Sequence, residues 1–546
     1  PQAMLTRLAH PLQLLTNGAR NLPTRHQTMR ATLAWSYALL DEAEKTLFRQ
    51  LAVFAGGGRL EAIEAVCSAN GADAQDILDV IASLLDKSLL QQQADVDGEP
   101  RFRLLRVVRE YALEQLEEHG EAEAVRRRYA AHFLALAEQA EPELMGAAQQ
   151  VWLDRLALES NNLRAALDVC LAEHDIEMGL RFGGALWRFW EVRGYLDEGR
   201  LWLERLLAKT TARTSRRAKV LAGVGRLACN QGDYAAARRF HEESLSISQE
   251  LGDLRGIAFS LNNLGNVAFN QGDYAAARLF HEESLAHSRQ SGDQRGTAAS
   301  LNNLGILAVE LGDYEAARTL HAESLALKRT LGDKQGIAAS LNNLGNVALN
   351  QGDYEAAFTL HTEGLALKRE VGDRQGIATS LNNLGNIALT QGDYRTARPL
   401  LEESLVLQKA IGNRRGAALA LCNLGDVAYH EGDSDTARAL YTESLSIRWE
   451  VGDKQGIAEC FVGLAGVARM VQLVERAARL LATTEALLEA IGSYLEIGNR
   501  VVYENHVAAV KRALGEEPFA AAWAARAERL RIYPNNGCGF DNYTCE

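Results

Sequence analysis

Apolar side chains recur at helical spacing through the middle of the chain. In the segment SLNNLGNVALNQGDYEAA (340–357), Leu341, Leu344 and Ala348 share one face of a helix. Gly352 suits the left-handed residue that follows a helix, and Asp353 can cap the helix after it. The second apolar face consists of Ala356, Ala357, Leu360 and Leu365. The pattern therefore predicts two helices joined by a short turn.

This helix pair returns every 40 residues. LNNLG begins at 261, 301, 341 and 381, LCNLG begins at 421, and GDY begins at 232, 272, 312, 352 and 392. A fixed period of this length indicates a solenoid, in which each unit buries its apolar faces against its neighbours. None of the 8 prolines lies between residues 143 and 398, so helices can run unbroken there. We expect an all-α stack.

The unit resembles the tetratricopeptide repeat. Small residues at Gly345 and Ala357 match the positions where the family's paired helices approach closely, and Tyr354 follows the turn. The unit is longer than the family's usual 34 residues, and stretches such as LGDKQG (331–336) replace the late proline. In this respect the chain is similar to longer-period members such as kinesin light chain. The resemblance implies a tetratricopeptide-repeat superhelix in which the first helix of each unit lines a concave groove.

The N-terminal third does not repeat. Residues 25–57 predict two helices with Asp41 capping the second, and residues 73–90 predict another helix. LLQQQ and RFRLL then flank ADVDGEP, which predicts a hairpin. Helices followed by a hairpin are typical of a winged helix. Residues 20–140 resemble the winged-helix and helical arm of bacterial STAND signalling ATPases, including large LuxR-type regulators, in which a P-loop ATPase precedes this segment and tetratricopeptide repeats follow it.

These patterns divide the chain into six parts. The predicted parts are a linker remaining after an absent ATPase domain (1–24), a winged-helix-like module (25–110), a helical linker (111–175), tetratricopeptide repeats (176–492, regular over about 212–452), C-terminal helices (493–534) and a disordered tail (535–546).

No nucleotide-binding motif occurs in the sequence. G-x-x-x-x-G-K-[ST] is absent, and no glycine is followed by lysine, so the usual phosphate-binding loop cannot form. We expect no enzymatic activity, no cofactor and no metal. Because PQAMLTRL (1–8) looks like the exit from an ATPase domain, we expect the chain to be a fragment whose parent carries that domain in cis.

Composition places the chain among intracellular proteins. It is 47% hydrophobic with a formal net charge of −13, it has no run of 18 apolar residues, and PQAMLTRLAH is no signal peptide. We expect a cytoplasmic protein that does not bind membranes.

The seven cysteines are scattered, which favours free thiols over disulfides. Cys538 and Cys545 could oxidise or bind a metal, although two ligands without histidine are a weak signal.

A column of histidines also follows the repeat period. Its members are His241, His281, His321 and His361. Packed helices lie about 8–10 Å apart, whereas zinc–nitrogen bonds are about 2 Å long, so histidines one repeat apart cannot easily share an ion. We therefore expect these rings to pack against neighbouring tyrosines or carboxylates rather than to bind metal.

Winged helices often bind DNA, which is the alternative function. The helix that would enter the groove carries four aspartates, Asp73, Asp76, Asp79 and Asp86, against a single Lys87. DNA phosphates would repel this helix. Arginines do cluster on and after the wing, at Arg101, Arg103, Arg106, Arg109 and 126–128. We favour a structural hinge and expect no direct nucleic-acid binding.

The candidate binding residues are asparagines of the first helices. Asparagine is only a modest helix former, because its amide competes for backbone hydrogen bonds. Each amide offers a donor and an acceptor, which suits it to grip the backbone of an extended peptide. The NNLGNV motif resembles the repeats of O-linked N-acetylglucosamine transferase, in which an asparagine ladder holds peptide backbone. The candidates are Asn262, Asn263, Asn266, Asn270, Asn302, Asn303, Asn342, Asn343, Asn346, Asn350, Asn382, Asn383, Asn386 and Asn423.

The asparagines are also compatible with two roles that involve no ligand. The amides, especially the Asn343 column, could bond to the next repeat, or recent duplication could have copied neutral residues. If the amides do grip a ligand, the chain is a scaffold or sensor arm that binds a peptide or protein segment in the groove. In the intact parent, that event would release or enforce an inhibited ATPase.

Overall fold

The fold is known from a computed structural model that describes residues 29–68, 74–94, 98–146, 148–172, 175–491 and 497–524. The predictions for residues 1–24 and 535–546, for Asp73 and for the C-terminal cysteines lie outside these ranges. The chain divides into two compact units, the first ending at Gly296 and the second beginning at Thr297. The predicted fold class, all-α repeats preceded by a winged helix, is confirmed.

Within the described residues, the N-terminal module consists of four helices and a small sheet. Its elements are α1 (Met29–Ala38), α2 (Glu42–Leu51), β1 (Gly58–Arg59), α3 (Leu60–Cys67), α4 (Ala74–Asp86), β2 (Gln91–Ala94) and β3 (Pro100–Arg103). Asp41 caps α2 as predicted, in a capping box where Asp41 Oδ1 accepts from the Glu44 N–H at 2.8 Å. β2 and β3 pair antiparallel in the predicted hairpin, and β1 adds a third strand on the other side of β3.

In the part of this segment that the structure describes, six helices connect the module to the regular repeats. They are α5 (Arg106–Glu118), α6 (Ala122–Glu143), α7 (Gln149–Leu158), α8 (Ser160–Ala172), α9 (Ile176–Arg193) and α10 (Leu196–Leu207). One continuous core of buried side chains runs from Leu33 to Ile247. Segment 111–175 therefore packs into the same core as the winged-helix module.

The repeats are seven helix pairs followed by two further helices. The pairs are α11 (Ser215–Asn230) with α12 (Tyr234–Leu251), α13 (Leu254–Asn270) with α14 (Tyr274–Gln290), α15 (Gln294–Glu310) with α16 (Tyr314–Thr330), α17 (Lys334–Asn350) with α18 (Tyr354–Val371), α19 (Arg374–Thr390) with α20 (Tyr394–Ala410), α21 (Arg414–His430) with α22 (Ser434–Glu450), and α23 (Lys454–Met470) with α24 (Val474–Ile491). α25 (Ile497–Leu514) and α26 (Glu516–Ala524) follow.

The turn within the α17–α18 pair is built as the sequence predicts. Gly352 has a φ of +78°, the left-handed region that favours glycine, and its N–H donates to the Leu349 carbonyl at 3.0 Å. Asp353 then caps α18 by accepting from the Ala356 N–H at 3.0 Å. The predicted apolar face of α17 is also confirmed, because Leu341, Leu344 and Ala348 are all buried.

The first helices of successive repeats contact one another directly and form a common surface. α19 contacts α21, and α21 contacts α23. In five of the seven pairs, a buried serine of the second helix donates to a carbonyl of the first, as Ser404 Oγ does to Ala378 at 2.8 Å. We call the surface formed in the second unit by α15, α17, α19, α21 and α23 the first-helix face.

Candidate functional site

The predicted asparagines fall into three classes of exposure. Asn263, Asn382 and Asn423 are buried. Asn270, Asn350 and Asn386, towards the C-terminal ends of their helices, are exposed. The remaining members are half-buried, and they are Asn262, Asn266, Asn302, Asn303, Asn342, Asn343, Asn346 and Asn383. The candidate ladder is therefore not one uniform surface.

Six of the asparagines in the second unit bond to one another between repeats. Asn343 Nδ2 donates to Asn302 Oδ1 at 3.0 Å, and Asn423 Nδ2 donates to Asn382 Oδ1 at 3.3 Å. A longer contact of 3.5 Å joins Asn383 Nδ2 to Asn342 Oδ1. We call this set the amide spine; its members are Asn302, Asn342, Asn343, Asn382, Asn383 and Asn423.

Asn342 and Asn343 each keep a hydrogen-bonding group that the bonds of the spine do not use. At Asn342 the oxygen accepts from the next repeat, so the Nδ2 donors remain for another partner. At Asn343 the nitrogen donates to the previous repeat, so Oδ1 remains as an acceptor. Both side chains are half-buried rather than enclosed. Bonding between repeats is thus present, and it orients these amides without consuming all of their hydrogen-bonding capacity.

A second set of asparagines lies one or two helical turns further along the same helices. Asn346 is half-buried, and Asn350 and Asn386 are exposed. We call these three residues the amide stripe. In the first unit the corresponding helix differs, because Asn263 Nδ2 donates back to its own helix at the Phe259 carbonyl (3.0 Å) and Asn270 Nδ2 lies 3.5 Å from Cys229 Sγ.

The histidine column packs against glycine. A methyl group added to Gly345 would lie 2.7 Å from Nε2 of His361, so the ring occupies the space that the glycine leaves. Gly305 and His321 form the same pair in the preceding repeat. The packing partner is therefore the glycine of the first helix, not the tyrosine or carboxylate that we predicted. Burial lowers the pKa of His361 to about 4, so the ring is neutral.

Neither a metal cluster nor a membrane span occurs among the described residues. Within those ranges, no group of three or more histidine, cysteine, aspartate or glutamate side chains is arranged to hold an ion. Over the same part of the chain, no helix combines the length and the apolarity needed to cross a bilayer.

Most arginines near the wing serve internal contacts. Arg101 is buried and forms a bidentate pair with Glu159 at 2.7 and 2.8 Å. Arg109 donates to the Ala52 carbonyl at 2.7 Å, and Arg128 donates to the Val66 carbonyl at 2.7 Å. Arg126 and Arg127 pair with Glu117 and Glu123, as two exposed ion pairs. Arg103 and Arg106 are exposed.

Helix α4, which would enter a DNA groove, has an acidic surface. Asp76, Asp79 and Asp86 of α4 are all exposed. Lys87, at the end of the same helix, pairs with the buried Glu44. Burial alone would raise the pKa of Glu44, but hydrogen bonds from Lys87 and Ser83 hold it at about 2. Two features of α4, its acidic face and its paired lysine, therefore disfavour contact with phosphates.

A polar network that sequence reasoning missed fixes the wing to the helical arm. Asn162 accepts from the Gly56 N–H at 3.0 Å and donates to the Gly57 carbonyl at 2.9 Å and to Glu159 at 2.6 Å. Arg101 donates to the Gly56 carbonyl at 2.8 Å, which closes the network. The only sign of this network in the sequence is the spacing of Glu159 and Asn162, which lie three residues apart in the segment predicted to be a helical linker.

Family models match two parts of this chain. The model described as "Winged helix-turn-helix domain" matches residues 40–117. Two models described as "Tetratricopeptide repeat" match residues 216–290, 256–330 and 336–410, and residues 302–361 and 382–450. The chain joins a winged helix-turn-helix domain to tetratricopeptide repeats.

Relatives in Mycobacterium tuberculosis extend the comparison. A protein named "Putative HTH-type transcriptional regulator" is 37% identical over 215 residues, covering 38% of this chain and 24% of that protein. An "Uncharacterized protein" of the same species is 41% identical over 134 residues, covering 24% of this chain and 34% of the relative. The chain thus spans about a quarter of the first of these relatives and a third of the second.

The comparison with a solved structure concerns the fold. A STAND protein with a tetratricopeptide repeat sensor from Pyrococcus horikoshii has a TM-score of 0.60 at 16% identity, covering 90% of this chain and 70% of that one. A likeness at this level of identity shows a shared fold.

Proposed function

We propose that this chain is the sensor arm of a bacterial signal-transduction or transcription-regulator ATPase, and that it binds a peptide or protein segment on the first-helix face. The amide spine carries this proposal. It runs across α15, α17, α19 and α21 with oriented amides, and the amide stripe lies beside it. The arm is a non-enzymatic binding scaffold, and its place of action is the cytoplasm.

The chemistry of the spine favours peptide backbone as the partner. In α17, Asn342 keeps a spare donor and Asn343 a spare acceptor, and in α19 Asn383 keeps a spare acceptor. An extended peptide alternates N–H and C=O groups along its length. A net hydrogen bond contributes about 0.5–1.5 kcal/mol. Several repeats acting together can therefore hold a segment with little dependence on its side chains.

Peptide selection tests this function. Random twelve-residue peptides displayed on phage are captured on the purified chain, and the enriched sequences are synthesised with and without N-methylation of alternate backbone amides. We expect enrichment, and we expect N-methylation to weaken binding more than alanine replacement of single side chains, because backbone donors are lost. A chain that enriches no peptide, or that binds N-methylated peptides equally well, would contradict the proposal.

The ATPase in cis is part of the same proposal. The similarity in fold to a STAND protein supports it, as does the small share of the relatives that this chain covers. We expect the gene to encode a P-loop upstream of Pro1, and we expect the chain itself to show no saturable ATP binding in calorimetry. An upstream sequence without a P-loop would refute this part of the proposal.

A second candidate function is direct DNA binding through the winged helix. The match to a winged helix-turn-helix model and the name of the mycobacterial relative favour it. Arg103 and Arg106, both exposed, are the residues that would carry it. A mobility-shift titration at 50 and 200 mM salt, with the R103A/R106A variant as control, decides the matter. Salt-sensitive binding that this variant loses would favour the DNA function.

A further inference from the structure

Two cysteines depart from the repeat pattern on neighbouring first helices. Cys422 of α21 stands where four earlier repeats have asparagine, at Asn262, Asn302, Asn342 and Asn382. Cys460 of α23 stands where four earlier repeats have serine, at Ser260, Ser300, Ser340 and Ser380. Because α21 and α23 contact each other, the fold brings these two departures from the period together.

The ring of Tyr441 packs against both helices and shows that the two cysteines lie at the same level. A methyl group added to Gly425 of α21 would lie 2.7 Å from this ring, and one added to Gly463 of α23 would lie 2.5 Å from it. Cys422 and Cys460 each precede one of these glycines by three residues, and residues three apart share a helix face. Both cysteines belong to the same buried cluster as Tyr441.

The two thiols interact with each other and with a buried cation. A hydrogen bond with Cys460 raises the pKa of Cys422, and burial raises it further. Burial alone would also raise the pKa of Cys460, but the hydrogen bond with Cys422 and the charge of Arg448 hold it below its usual value. The Cys460 thiol donates to Ser444 Oγ at 3.3 Å. One thiolate is therefore stabilised where an isolated buried thiol would stay protonated.

Two carboxylates near the pair act in the opposite sense. Glu459 accepts from Arg448 Nη1 at 2.8 Å, and Asp426 accepts from the Tyr441 hydroxyl at 2.6 Å. Their charges disfavour a thiolate, Glu459 at Cys460 and Asp426 at the other cysteine. Arg448 is nevertheless not fully engaged, because its buried Nε has no hydrogen-bond partner among the described residues. The lowered pKa of Cys460 is the net result of these opposing charges.

We propose that Cys422 and Cys460 are a redox site, which hydrogen peroxide oxidises to a disulfide that joins α21 to α23. Both thiols are free in the structure, and Cys422 keeps 6% of its surface exposed, which gives a small oxidant access to the pair. Disulfides of cytosolic proteins are mostly transient and redox-sensing. The site does not depend on whether the first-helix face binds a peptide.

The reaction has two steps. The thiolate of the pair attacks one oxygen of the peroxide, so that an S–O bond forms, the O–O bond breaks and hydroxide leaves. The sulfur of the second cysteine then attacks the sulfenic acid, so that the S–S bond forms, the S–O bond breaks and a second hydroxide leaves. The two hydroxides take up the two thiol protons. The products are one disulfide and two water molecules, and a thiol reductant restores the pair.

Earlier repeats supply matched replacements for both cysteines. C460S introduces the serine of the earlier repeats, where Ser260 Oγ lies 3.0 Å from Ser244 Oγ in the place of the contact between Cys460 and Ser444. C422N introduces the asparagine that stands at 382 in the preceding repeat. Both variants therefore place at each site a side chain that the repeat already accommodates.

The test treats the whole reduced chain with hydrogen peroxide, alkylates the remaining thiols and maps the tryptic peptides by mass spectrometry. Trypsin places Cys422 on peptide 416–438 and Cys460 on peptide 455–469, and none of the other five cysteines lies on either. We expect a disulfide between these two peptides as the main oxidation product, and we expect dithiothreitol to remove it. C422N and C460S should lose this product, whereas C170A, which removes a buried cysteine of the first unit, should keep it.

Three results would overturn the redox site. The first is a folded chain in which peroxide leaves both cysteines as thiols. The second is oxidation of either cysteine to sulfinic acid without the disulfide. The third is a cross-link that forms only after urea unfolds the chain, because the fold would then not be what brings the sulfurs together. Mapping of the wild type decides the matter, so the result does not depend on how stably the variants fold.

Discussion

At the scale of single residues, the buried histidines show how the repeats reuse one packing solution. Each ring fills the space above a glycine of the first helix, as His361 does above Gly345. Leu401 takes the same place above Gly385 in the next repeat. The column therefore requires shape rather than imidazole chemistry, and the neutral histidine and the leucine serve the same purpose.

This packing predicts sensitivity to acid. Burial lowers the pKa of His281, His321 and His361 to about 4, whereas an unfolded histidine titrates near 6.5. The unfolded chain takes up protons first, so stability is lost as pH falls below about 6.5, and the loss continues to about pH 4. At pH 5 each of these histidines lowers the free energy of unfolding by about 1–2 kcal/mol. We expect urea midpoints to fall over this interval.

The chain's own leucine provides the control for that prediction. A variant with H281L, H321L and H361L places at three positions the side chain that already stands at 401. We expect its urea midpoint at pH 7 to match or exceed that of the wild type, and its decline between pH 6.5 and pH 5 to be clearly shallower. An unchanged pH profile would refute the assignment of acid sensitivity to this column.

At the scale of elements, the polar network at the wing makes β3 and α8 a single structural unit. Arg101 and Glu159 are almost fully buried, and Asn162 ties both the strand and the helix to the backbone at Gly56 and Gly57. A wing held in this way is suited to transmit a displacement of the arm to the module. The hinge role of the winged helix stays a prediction.

The Arg101–Glu159 pair predicts a specific mutational pattern. Removing one partner leaves a buried charge unpaired, so R101M or E159M should lower the free energy of unfolding by about 3–5 kcal/mol. The double variant R101M/E159M removes both charges and should recover part of that loss. Chemical denaturation of the three variants measures this coupling. Additive losses in the double variant would show that the two side chains do not act as a pair.

At the scale of the whole molecule, periodicity made most of the fold predictable. The 40-residue period specified which helices pair, and Gly352 and Asp353 specified the turn between them. The period could not specify the spine, because the bond from Asn383 to Asn342 depends on the angle between neighbouring first helices and on the orientation of each amide. Nor did it reveal that Lys368 is buried, since lysine is usually exposed.

Outside the repeats, less was predictable. The strand β1 is two residues long and carries no alternating pattern, so sequence indicated only the hairpin of β2 and β3. The pairing of Arg101 with Glu159 spans 58 residues and follows no period. Such long-range polar contacts form only when the tertiary fold brings the two elements together, and a single sequence gives no direct sign of them.

The measurement that tests the central claim most directly compares two amide variants with the wild type in the same titration. N346A/N386A removes amides of the stripe, and N343A/N383A removes donors of the spine. For each protein, calorimetry with the most enriched peptide gives the affinity, and a melting curve gives the stability.

We expect N346A/N386A to weaken binding by about 1–3 kcal/mol for two lost hydrogen bonds, and to melt at or above the wild-type temperature, because alanine is the better helix former. N343A/N383A should melt lower, since Asn302 and Asn342 lose their inter-repeat donors. If both variants instead bind the peptide as tightly as the wild type, the first-helix amides do not grip a partner.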